Sequence, residues 1–320
     1  MESISVVIPL YNKAPFILRA IRSVLSQTKL PEEIIVIDDG SSDGGGDLVA
    51  QLQNPLIRLV RQENKGVSVA RNVGISLAKG ELIAFLDADD EWRPNFLEVI
   101  GEMRQLYPQA GAYATAFDIV TPAGKRIKKE FKGISPHHNP HLIENMFSVH
   151  IDPALIWTSA VVVPKNVFKI AGYFKEGDLI GQDVDMWLRI GIYYPIAFNN
   201  ISLATYRQDA TNRTYRVKKY SCEPAFSITV TEAIESGKVP AEKVNDLREY
   251  GAYWQYWAVR QLILNNNKEV AIKIINKTKG TKRFYREGWI LLILAQLPPL
   301  FMKYAIKFYR SIFVDRKISS

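Results

Sequence analysis

The sequence predicts an α/β protein in which helices flank a mostly parallel sheet, followed by a helical C-terminal region. Three observations support this class. Short apolar runs alternate with segments of helical period over the first hundred residues. Acidic residues follow two of these runs, where the strands of an α/β sheet carry their binding loops. The last hundred residues lose this alternation and become rich in aromatic and basic side chains.

The predicted elements of the first hundred residues follow one another with short connections. The apolar runs with strand character are residues 6–10, 34–37, 57–60 and 82–86. Apolar residues at helical spacing predict helices near residues 16–25, 48–52 and 70–78. A βαβ series of this kind folds into a parallel sheet with right-handed crossovers and helices on both faces.

The run at residues 82–86 ends in three carboxylates, those of Asp87, Asp89 and Asp90. Carboxylates this close raise one another's pKa, and an oxygen-preferring cation, Mg²⁺ or Mn²⁺, is the usual means of keeping them ionised. The end of this run is therefore a candidate metal site.

A second acidic group, Asp38 and Asp39, follows the run at residues 34–37. Ligands of open α/β sheets bind beyond the carboxyl ends of the strands, so we expect both acidic groups to line one site. Each group by itself also fits an acidic turn or a helix cap, because Asp, Ser and Gly favour turns for local reasons. The residues alone leave both interpretations open.

Missing motifs exclude several enzyme classes. The first predicted strand is not followed by Gly-x-Gly-x-x-Gly, and Gly-x-x-x-x-Gly-Lys-Ser/Thr does not occur, which argues against dehydrogenases and P-loop enzymes. There is no Gly-x-Ser-x-Gly elbow, and the single cysteine, Cys222, excludes a cysteine-rich zinc site. His137, His138 and His141 lie in a stretch rich in Pro, Lys and Gly, which we interpret as a solvated or acceptor-facing loop.

Several segments together resemble glycosyltransferase family 2: residues 6–13, 26–28, 36–44, 63–74 and 85–92. Residues 181–189 are similar to the Glu-Asp helix of that family, although Gln182 stands where glutamate is commoner. The resemblance ends near residue 210. It implies the GT-A fold, a Rossmann-like sheet flanked by helices, and inverting transfer from a nucleotide-sugar, most often UDP-linked.

The same resemblance implies roles for several residues in binding the donor. It places Pro9, Tyr11 and Asp39 in the nucleoside pocket, Asp87 at the ribose, Ala88 among the residues that bind the nucleotide-sugar, and Asp89 on the metal, Mn²⁺ or Mg²⁺. An aromatic ring can stack on the base, and a carboxylate can accept a hydrogen bond from a pyrimidine N–H. Tyr11 could also be a rim aromatic without a ligand.

Two cations, Lys65 and Arg71, lie around the Gly66 turn and the start of a predicted helix. Backbone N–H groups, the helix dipole and added cations favour phosphate in such a setting. We therefore expect both residues to bind the diphosphate of the donor. The alternative is that Arg71 lies on a solvated helix face.

A general base is needed to take the proton of the acceptor hydroxyl. Asp183 opens a predicted helix, where a negative charge is favoured and stays available as a base. A plain N-cap is the alternative for this residue. Asp185 has Arg189 four residues later, so an exposed helical ion pair explains it without chemistry. We therefore assign the role of general base to Asp183 alone.

Charge is unevenly distributed along the chain, which has a formal net charge of +8. Residues 265–320 hold 12 Lys and Arg against 3 Asp and Glu, a charge of +9, so the rest of the chain carries −1. We expect a catalytic domain at 1–215 and a helical region at 216–320, in which a basic amphipathic segment near 288–314 associates with an anionic membrane surface. A helical hairpin packed on its own domain or on a dimer partner is the alternative.

The expected location is cytoplasmic, at the inner face of the cell membrane, since the first strand begins near Ile4 and leaves no room for a signal peptide. The predicted function is metal-assisted, inverting transfer of a sugar to a hydroxyl of a glycan or lipid-linked saccharide, in the synthesis of cell-surface polysaccharide or glycoconjugate. Alternatives are a polyprenyl-phosphate glycosyltransferase and a non-enzymatic, membrane-associated binding module. Nucleic acid is not an expected partner, because it would leave the acidic groups unexplained.

Overall fold

A computed structural model describes residues 2–129, 131, 134, 139–149, 155–178, 180–210, 222–278 and 280–297. The chain divides into two compact units. The first comprises Met1–Gly177 and Gln182–Arg213, and the second comprises Asp178–Gly181 and Thr214–Ser320. Candidate site residues, apart from the basic C-terminal segment, all belong to the first unit.

The first half of this unit alternates strands and helices. In chain order they are β1 (Ile4–Leu10), α1 (Ala14–Leu25), β2 (Glu33–Asp39), α2 (Gly45–Ala50), β3 (Ile57–Gln62), α3 (Val67–Leu77), β4 (Leu82–Phe85), β5 (Glu91–Trp92) and α4 (Phe96–Leu106). The second half contains β6 (Ala112–Val120), β7 (Arg126–Lys128), β8 (His141–Ile143), β9 (Val161–Pro164), α5 (Phe168–Ala171), α6 (Gln182–Tyr193) and β10 (Ile196–Arg207). Two short 3₁₀ turns, Thr158–Ala160 and Lys165–Val167, flank β9.

One sheet runs through the unit in the order β3-β2-β1-β4-β9-β6-β10-β5, with β7 on β6 and β8 on β10. Strands β1 to β4 pair in parallel, as the βαβ pattern predicts. Beyond β4 the sheet is mixed, because β9 is antiparallel to both β4 and β6. The α/β fold class predicted from the sequence is confirmed.

Close packing of helices on the parallel strands explains why these segments fold as they do. All seven residues of β2 are buried, as expected for a strand covered on both faces. On α1, the buried residues Ile17, Ala20, Ile21 and Val24 recur at helical spacing. On α3, a Cβ added to Gly74 would lie 2.3 Å from Cγ1 of Val7, so only glycine lets α3 approach β1 this closely. This packing fixes the strand ends that carry the site.

One sequence prediction needs correction. The stretch that holds His137, His138 and His141 was interpreted as a loop, but His141 begins β8, which pairs with β10, and β7 before it pairs with β6. Short strands of three residues carry too little periodic signal to be recognised. His141 belongs to β8, while His137 and His138 lie outside the described residues.

The second unit is helical where it is described. Its helices are α7 (Ala225–Glu235), α8 (Ala241–Leu264), α9 (Lys268–Lys277) and α10 (Tyr285–Gln296). Tyr256 of α8 is buried, and its hydroxyl accepts a hydrogen bond from Thr278. Among the described residues, no helix combines the length and apolar character needed to cross a membrane. Most of the predicted basic segment, from residue 298 onward, lies outside the described residues.

Candidate active site

The carboxyl ends of β1, β2 and β4 lie along one edge of the sheet, because these strands are parallel and neighbouring. Leu10 is in register with Asp38, and Val7 with Phe85. The two acidic groups predicted from the sequence therefore flank the end of β1. Three further elements contribute to this edge: the turn before α1, the start of α3 and the 3₁₀ turn Thr158–Ala160.

Asp90 is the buried member of the acidic group after β4. One of its carboxylate oxygens accepts hydrogen bonds from Ser159 Oγ at 2.6 Å and Trp157 Nε1 at 3.3 Å, and the other accepts one from the backbone N–H of Arg207 at 3.0 Å. Burial, and next the charges of Asp89 and Asp87, hold the pKa of Asp90 well above its usual range. Asp90 therefore fastens residues 87–90, here called the acidic loop, to β10 and to the turn before β9.

Asp87 is paired with Arg71, whose Nη2 lies 2.8 Å from Asp87 Oδ1. Arg71 is only 3% exposed and its guanidinium lies over the ring of Phe174, 5.2 Å from the ring centroid. Its Nε and Nη1 atoms have no hydrogen-bond partner among the described residues. A buried guanidinium with free donors favours an additional anionic or carbonyl ligand, since stranded donors cost free energy.

Asp89 lies against a lysine that the sequence argument assigned no role. Lys13 Nζ is 2.6 Å from Asp89 Oδ2, and the backbone carbonyl of Asp89 accepts a hydrogen bond from Arg19 Nη2 at 3.0 Å. The two side chains of the ion pair are 14% and 17% exposed. The Asp89 carboxylate is thus near the surface and already faces a cation.

The 3₁₀ turn Thr158–Ala160 connects the acidic loop to α6. Ser159 Oγ donates to Asp90 and accepts the backbone N–H of Asp87 at 3.1 Å. The adjacent Thr158 donates its hydroxyl to Asp183 Oδ2 at 3.5 Å. Consecutive residues of one short turn therefore contact both the acidic loop and the predicted base.

Asp183 lies in the first turn of α6 and is half-buried. Its other carboxylate oxygen accepts the backbone N–H of Val184 at 2.8 Å. Asp185 forms the predicted pair with Arg189, at 2.8 Å, but the expectation that this pair is exposed is wrong, because the Asp185 side chain is 0% exposed. The helix turns Asp185 into the core, where Lys175 also approaches it at 3.8 Å.

The acidic group after β2 is held mainly by backbone amides. Asp39 is 3% exposed and accepts hydrogen bonds from the backbone N–H groups of Lys65 and Gly66 at 2.9 and 2.8 Å, and from Gln62 Nε2 at 2.7 Å. Asp38 accepts the backbone N–H of Ser41 at 3.0 Å. These carboxylates shape the loops before α2 and α3.

The remaining predicted donor residues differ in exposure. Tyr11 is 48% exposed, Lys65 is exposed, Pro9 is half-buried and Ala88 is 2% exposed. Tyr11 and Lys65 are thus accessible to a ligand, whereas Ala88 could offer only its backbone. Their roles as nucleotide-sugar ligands stay predictions.

The sequence analysis assigned no role to several residues at the site: Lys13, Thr158, Ser159 and Trp157. Lys13 lies inside the matching segment 6–13 and could have been considered as a cation near the strand ends. The others lie about 70 residues after the acidic loop, without any local pattern that points to it. Only the antiparallel pairing of β9 with β4 brings them there.

Comparison with protein families supplies the deciding observation. Residues 5–164, half of the chain, match the model of glycosyl transferase family 2. The chain belongs to this family. The matched residues include β1 to β4, the acidic loop and the turn Thr158–Ala160, so most of the site described above lies within the family region. Asp183 lies beyond it.

Curated family relatives are similar over parts of their length. An uncharacterized glycosyltransferase of Nostoc sp. is 38% identical over 48% of this chain, and the succinoglycan biosynthesis protein ExoO of Rhizobium meliloti is 38% identical over 40%. The chain spans less than half of these curated relatives, 47% and 37% of their respective lengths.

Solved structures confirm the GT-A fold for this family 2 chain. Residues 1–349 of TarS from S. aureus, in complex with UDP-GlcNAc, superimpose with a TM-score of 0.68. The match covers 97% of this chain and 92% of the TarS chain at 18% identity. The complex of the same TarS fragment with UDP gives a TM-score of 0.61.

The metal-ligand set of this family 2 site is small. Among the described residues, no three His, Cys, Asp or Glu side chains form a group that could hold a metal ion. Asp87 and Asp89 each offer a partly exposed carboxylate that already faces a cation. Mg²⁺ and Mn²⁺ sites of this kind take one or two carboxylates and complete their shell with substrate phosphates and water, so the residues present fit such an ion.

Proposed function

We propose that this chain is a glycosyltransferase that transfers a sugar from a UDP-linked nucleotide-sugar to a hydroxyl of a glycan or lipid-linked saccharide. The proposed reaction is a single displacement with inversion at the anomeric carbon. The proposed setting is the synthesis of cell-surface polysaccharide or glycoconjugate. TarS was solved with UDP-GlcNAc and ExoO is named for succinoglycan biosynthesis, which supports this class of donor and pathway.

One observation carries the proposal. Thr158 contacts Asp183, and its neighbour Ser159 contacts both Asp87 and Asp90. A carboxylate suited to accept a proton is thereby held close to the loop proposed to bind the donor. Transfer requires this juxtaposition, because the acceptor hydroxyl must lose its proton while the nucleoside diphosphate departs.

The donor would be bound by residues from three strand ends. Tyr11 offers an exposed ring for the base, and Pro9 and Asp39 would complete the proposed nucleoside pocket. Asp87 and the backbone at Ala88 are the proposed ribose contacts. A hydroxyl can donate to the Asp87 oxygen that Arg71 leaves free.

The diphosphate would lie where Lys65, Arg71 and the start of α3 meet. Lys65 is exposed, and Arg71 keeps two donors without a partner among the described residues. Asp89 would hold Mn²⁺ or Mg²⁺, which when bound supplies positive charge to the departing diphosphate. Arg71 contributes a fixed positive charge at the same place, one that needs no reorganisation during the reaction.

Asp183 is the proposed general base. It lies in the first turn of α6, and a helix N-terminus favours a negative charge there. The backbone N–H of Val184 and the hydroxyl of Thr158 orient it, and among the described residues no cation forms an ion pair with its carboxylate. Asp185 is unsuited to the role, because it is buried and paired with Arg189.

The test is Asp183→Asn, which keeps the shape of the side chain and removes the proton acceptor. We expect turnover to fall about 10²-fold or more, with unchanged affinity for the nucleotide-sugar. Transfer is measured with a panel of nucleotide-sugars and Mn²⁺, and donor affinity by calorimetry. Glu98→Gln is the matched control, because Glu98 also lies in the first turn of a helix and accepts a threonine hydroxyl, that of Thr28.

Turnover within threefold of the wild type in Asp183→Asn would move the base elsewhere. A donor panel without any hydrolysis or transfer would instead favour a non-enzymatic binding module. A polyprenyl-phosphate glycosyltransferase needs no base to deprotonate a hydroxyl, so transfer to a lipid phosphate that survives Asp183→Asn would favour that alternative.

We also propose that the chain is attached peripherally to the inner face of the cell membrane through its C-terminal region. On α10, the side chains of Tyr285, Trp289 and Ile293 recur every fourth residue and are 53%, 47% and 62% exposed. The opposite face of the helix, with Leu291 and Leu294, is buried in the second unit. An apolar face with aromatic residues is suited to the boundary between lipid headgroups and acyl chains.

Charge favours lipid over a second copy of the chain on this face. Lys282, Arg283 and Arg286 are exposed at the start of α10. Glu287 instead forms an ion pair with Arg260, in which Oε1 of the glutamate lies 3.0 Å from Nη1 of the arginine. A two-fold contact that brought the starts of two α10 helices together would place these cations against one another, and they would repel. Anionic lipid attracts them, with a contribution of about 1 kcal/mol for each cation near the surface.

Vesicles containing anionic lipid test this attachment. Replacing Tyr285, Trp289 and Ile293 by serine should weaken vesicle binding about tenfold or more, because their apolar area is lost. A matched control replaces Leu30, Leu106 and Ile170, which are 54%, 60% and 60% exposed in the first unit. Equal vesicle binding by both triple variants, or a change only in oligomeric state, would overturn the attachment through α10. Deleting residues from Gly288 onward is a poorer test, because it also removes buried Leu291 and Leu294.

A further inference from the structure

Lys13 is the chain's own cation at the proposed metal-binding carboxylate. It lies at the N-cap position of α1, directly after β1, and its Nζ atom is 2.6 Å from Asp89 Oδ2. Both side chains are largely shielded from solvent. Opposite charges at this separation interact more strongly there than on an open surface, because water screens them less.

The backbone that carries Lys13 is held by the loop after β2. The backbone N–H of Ser42 donates to Asn12 Oδ1 at 2.8 Å, and that of Ala14 donates to Asp43 Oδ2 at 2.8 Å. Asn12 has a φ of 50°, a left-handed conformation that asparagine tolerates better than most residues. Lys13 is therefore presented to Asp89 by a fixed turn, while its side chain can still move.

The neighbouring carboxylates are less free to change partners than Asp89. The cation on Asp87 is Arg71, which is buried and lies over the ring of Phe174. Asp90 is buried among three hydrogen-bond donors. A divalent ion arriving alone must therefore compete with Lys13 for one carboxylate. It would also lie beside the displaced ammonium, and like charges at short range repel.

We propose that Lys13 keeps free divalent metal away from Asp89 and makes metal binding depend on the nucleoside diphosphate. This inference rests on the proposed donor and metal. A diphosphate carries more negative charge than one carboxylate, so it can bind the ammonium and the metal at once. Lys13 then exchanges one anionic partner for another, and Asp89 becomes available to the metal. Lys13 is thus a positioning residue whose effect appears in binding rather than in the chemical step alone.

Mn²⁺ titration followed by electron paramagnetic resonance tests the proposal without any turnover. Without UDP we expect weak Mn²⁺ binding to the wild type, and at least about tenfold tighter binding with UDP. Lys13→Met removes the charge and keeps a long side chain, so Mn²⁺ should bind it at least about tenfold more tightly without UDP. Lys13→Arg, which keeps the charge, and Lys125→Met, which removes a charge from an exposed turn, should behave like the wild type.

Each outcome has a distinct meaning. Equal Mn²⁺ affinity of the wild type and Lys13→Met without UDP, while UDP still strengthens Mn²⁺ binding, overturns the role of Lys13 and leaves the proposed metal-dependent donor site intact. If UDP strengthens Mn²⁺ binding in no variant, the proposed metal role falls, and the role of Lys13 falls with it. Lys13→Gln gives a second neutral variant should Lys13→Met not show the thermal unfolding transition of the wild type.

Discussion

At the end of β2, the Asp39 carboxylate accepts hydrogen bonds from two backbone amides, whereas at the end of β4 Asp87 and Asp89 lie against an arginine and a lysine. Backbone amides of an ordered loop cannot leave without unfolding that loop. Side-chain cations can rotate toward another anion. Two acidic strand ends with similar sequences are thus suited to different tasks: the first shapes the loops around the proposed nucleoside pocket, and the second can exchange its partners for a ligand.

Asp90 shows that the contrast also holds within one cluster. It lies next to Asp89 in sequence, yet it is 1% exposed and accepts its hydrogen bonds from neutral donors. Its pKa is raised by burial and then by its acidic neighbours, so Asp90 is protonated more readily than an ordinary carboxyl. We therefore group Asp90 with the structural carboxylates, and Asp87 and Asp89 with the ligand-binding ones.

The largest expected effect is on metal-stimulated transfer, and it distinguishes Asp89 from the structural carboxylates. Asp89→Asn should lower metal-stimulated transfer about 10²-fold or more, because the proposed metal ligand is lost. The free energy of unfolding should change by less than about 1 kcal/mol, since Lys13 can turn to solvent. Transfer assays with and without Mn²⁺, together with urea unfolding, measure both quantities. Asp47→Asn breaks an exposed pair with Arg61 and serves as the control. A metal response equal to that of the wild type would contradict the assignment.

Replacing Asp39 should, in contrast, lower the free energy of unfolding when no ligand is present. Asp39→Ala leaves the amides of Lys65 and Gly66 and the side chain of Gln62 without their acceptor, and stranded buried donors cost about 2–4 kcal/mol in total. Urea denaturation gives this loss directly. Asp39→Asn keeps one acceptor oxygen and should lose less. If Asp39→Ala were as stable as the wild type, the distinction between the two strand ends would fail.

For Asp90, the amide and the alanine variant should differ. Asp90→Asn keeps an acceptor for the Arg207 amide, and its NH₂ group can donate to Ser159 Oγ, so only the longer bond from Trp157 Nε1 is lost and stability should change by about 1 kcal/mol or less. Asp90→Ala opens a small cavity and strands these donors, with a loss of about 1–3 kcal/mol. Thermal unfolding of both variants checks the difference. Equal losses would mean that the charge of Asp90 matters to the fold.

The smallest effect concerns the packing of Asp38. A Cβ added to Gly46 would lie 2.1 Å from Asp38 Oδ2, so the carboxylate must move and weaken its bond to the Ser41 amide. We expect Gly46→Ala to cost about 1–2 kcal/mol. In the Asp38→Ala background the same substitution should cost almost nothing, and a double-mutant cycle measures this coupling. Additive effects of the two changes would show that Asp38 does not hold the loop.

Local patterns predicted much of the first unit. Strand-length apolar runs and helical spacing predicted β1 to β4 and the helices between them, and the parallel pairing of these strands confirms the prediction. Short strands such as β7 and β8 escaped it, because three residues show no periodicity. The sequence did not predict the burial of Asp185 either, since an i to i+4 pair looks the same in sequence whether it faces water or the core.

The sequence by itself determined the fold class, the family and the two acidic strand ends, because these depend on residue types at short spacing. The tertiary structure decided which partner each carboxylate contacts, because those partners come from distant segments: Lys13 for Asp89, and Ser159 for Asp90. It also placed Asp183 near the acidic loop through the turn Thr158–Ala160. Contacts across more than 60 residues depend on how strands pair and helices pack, and no local pattern of side chains contains that information.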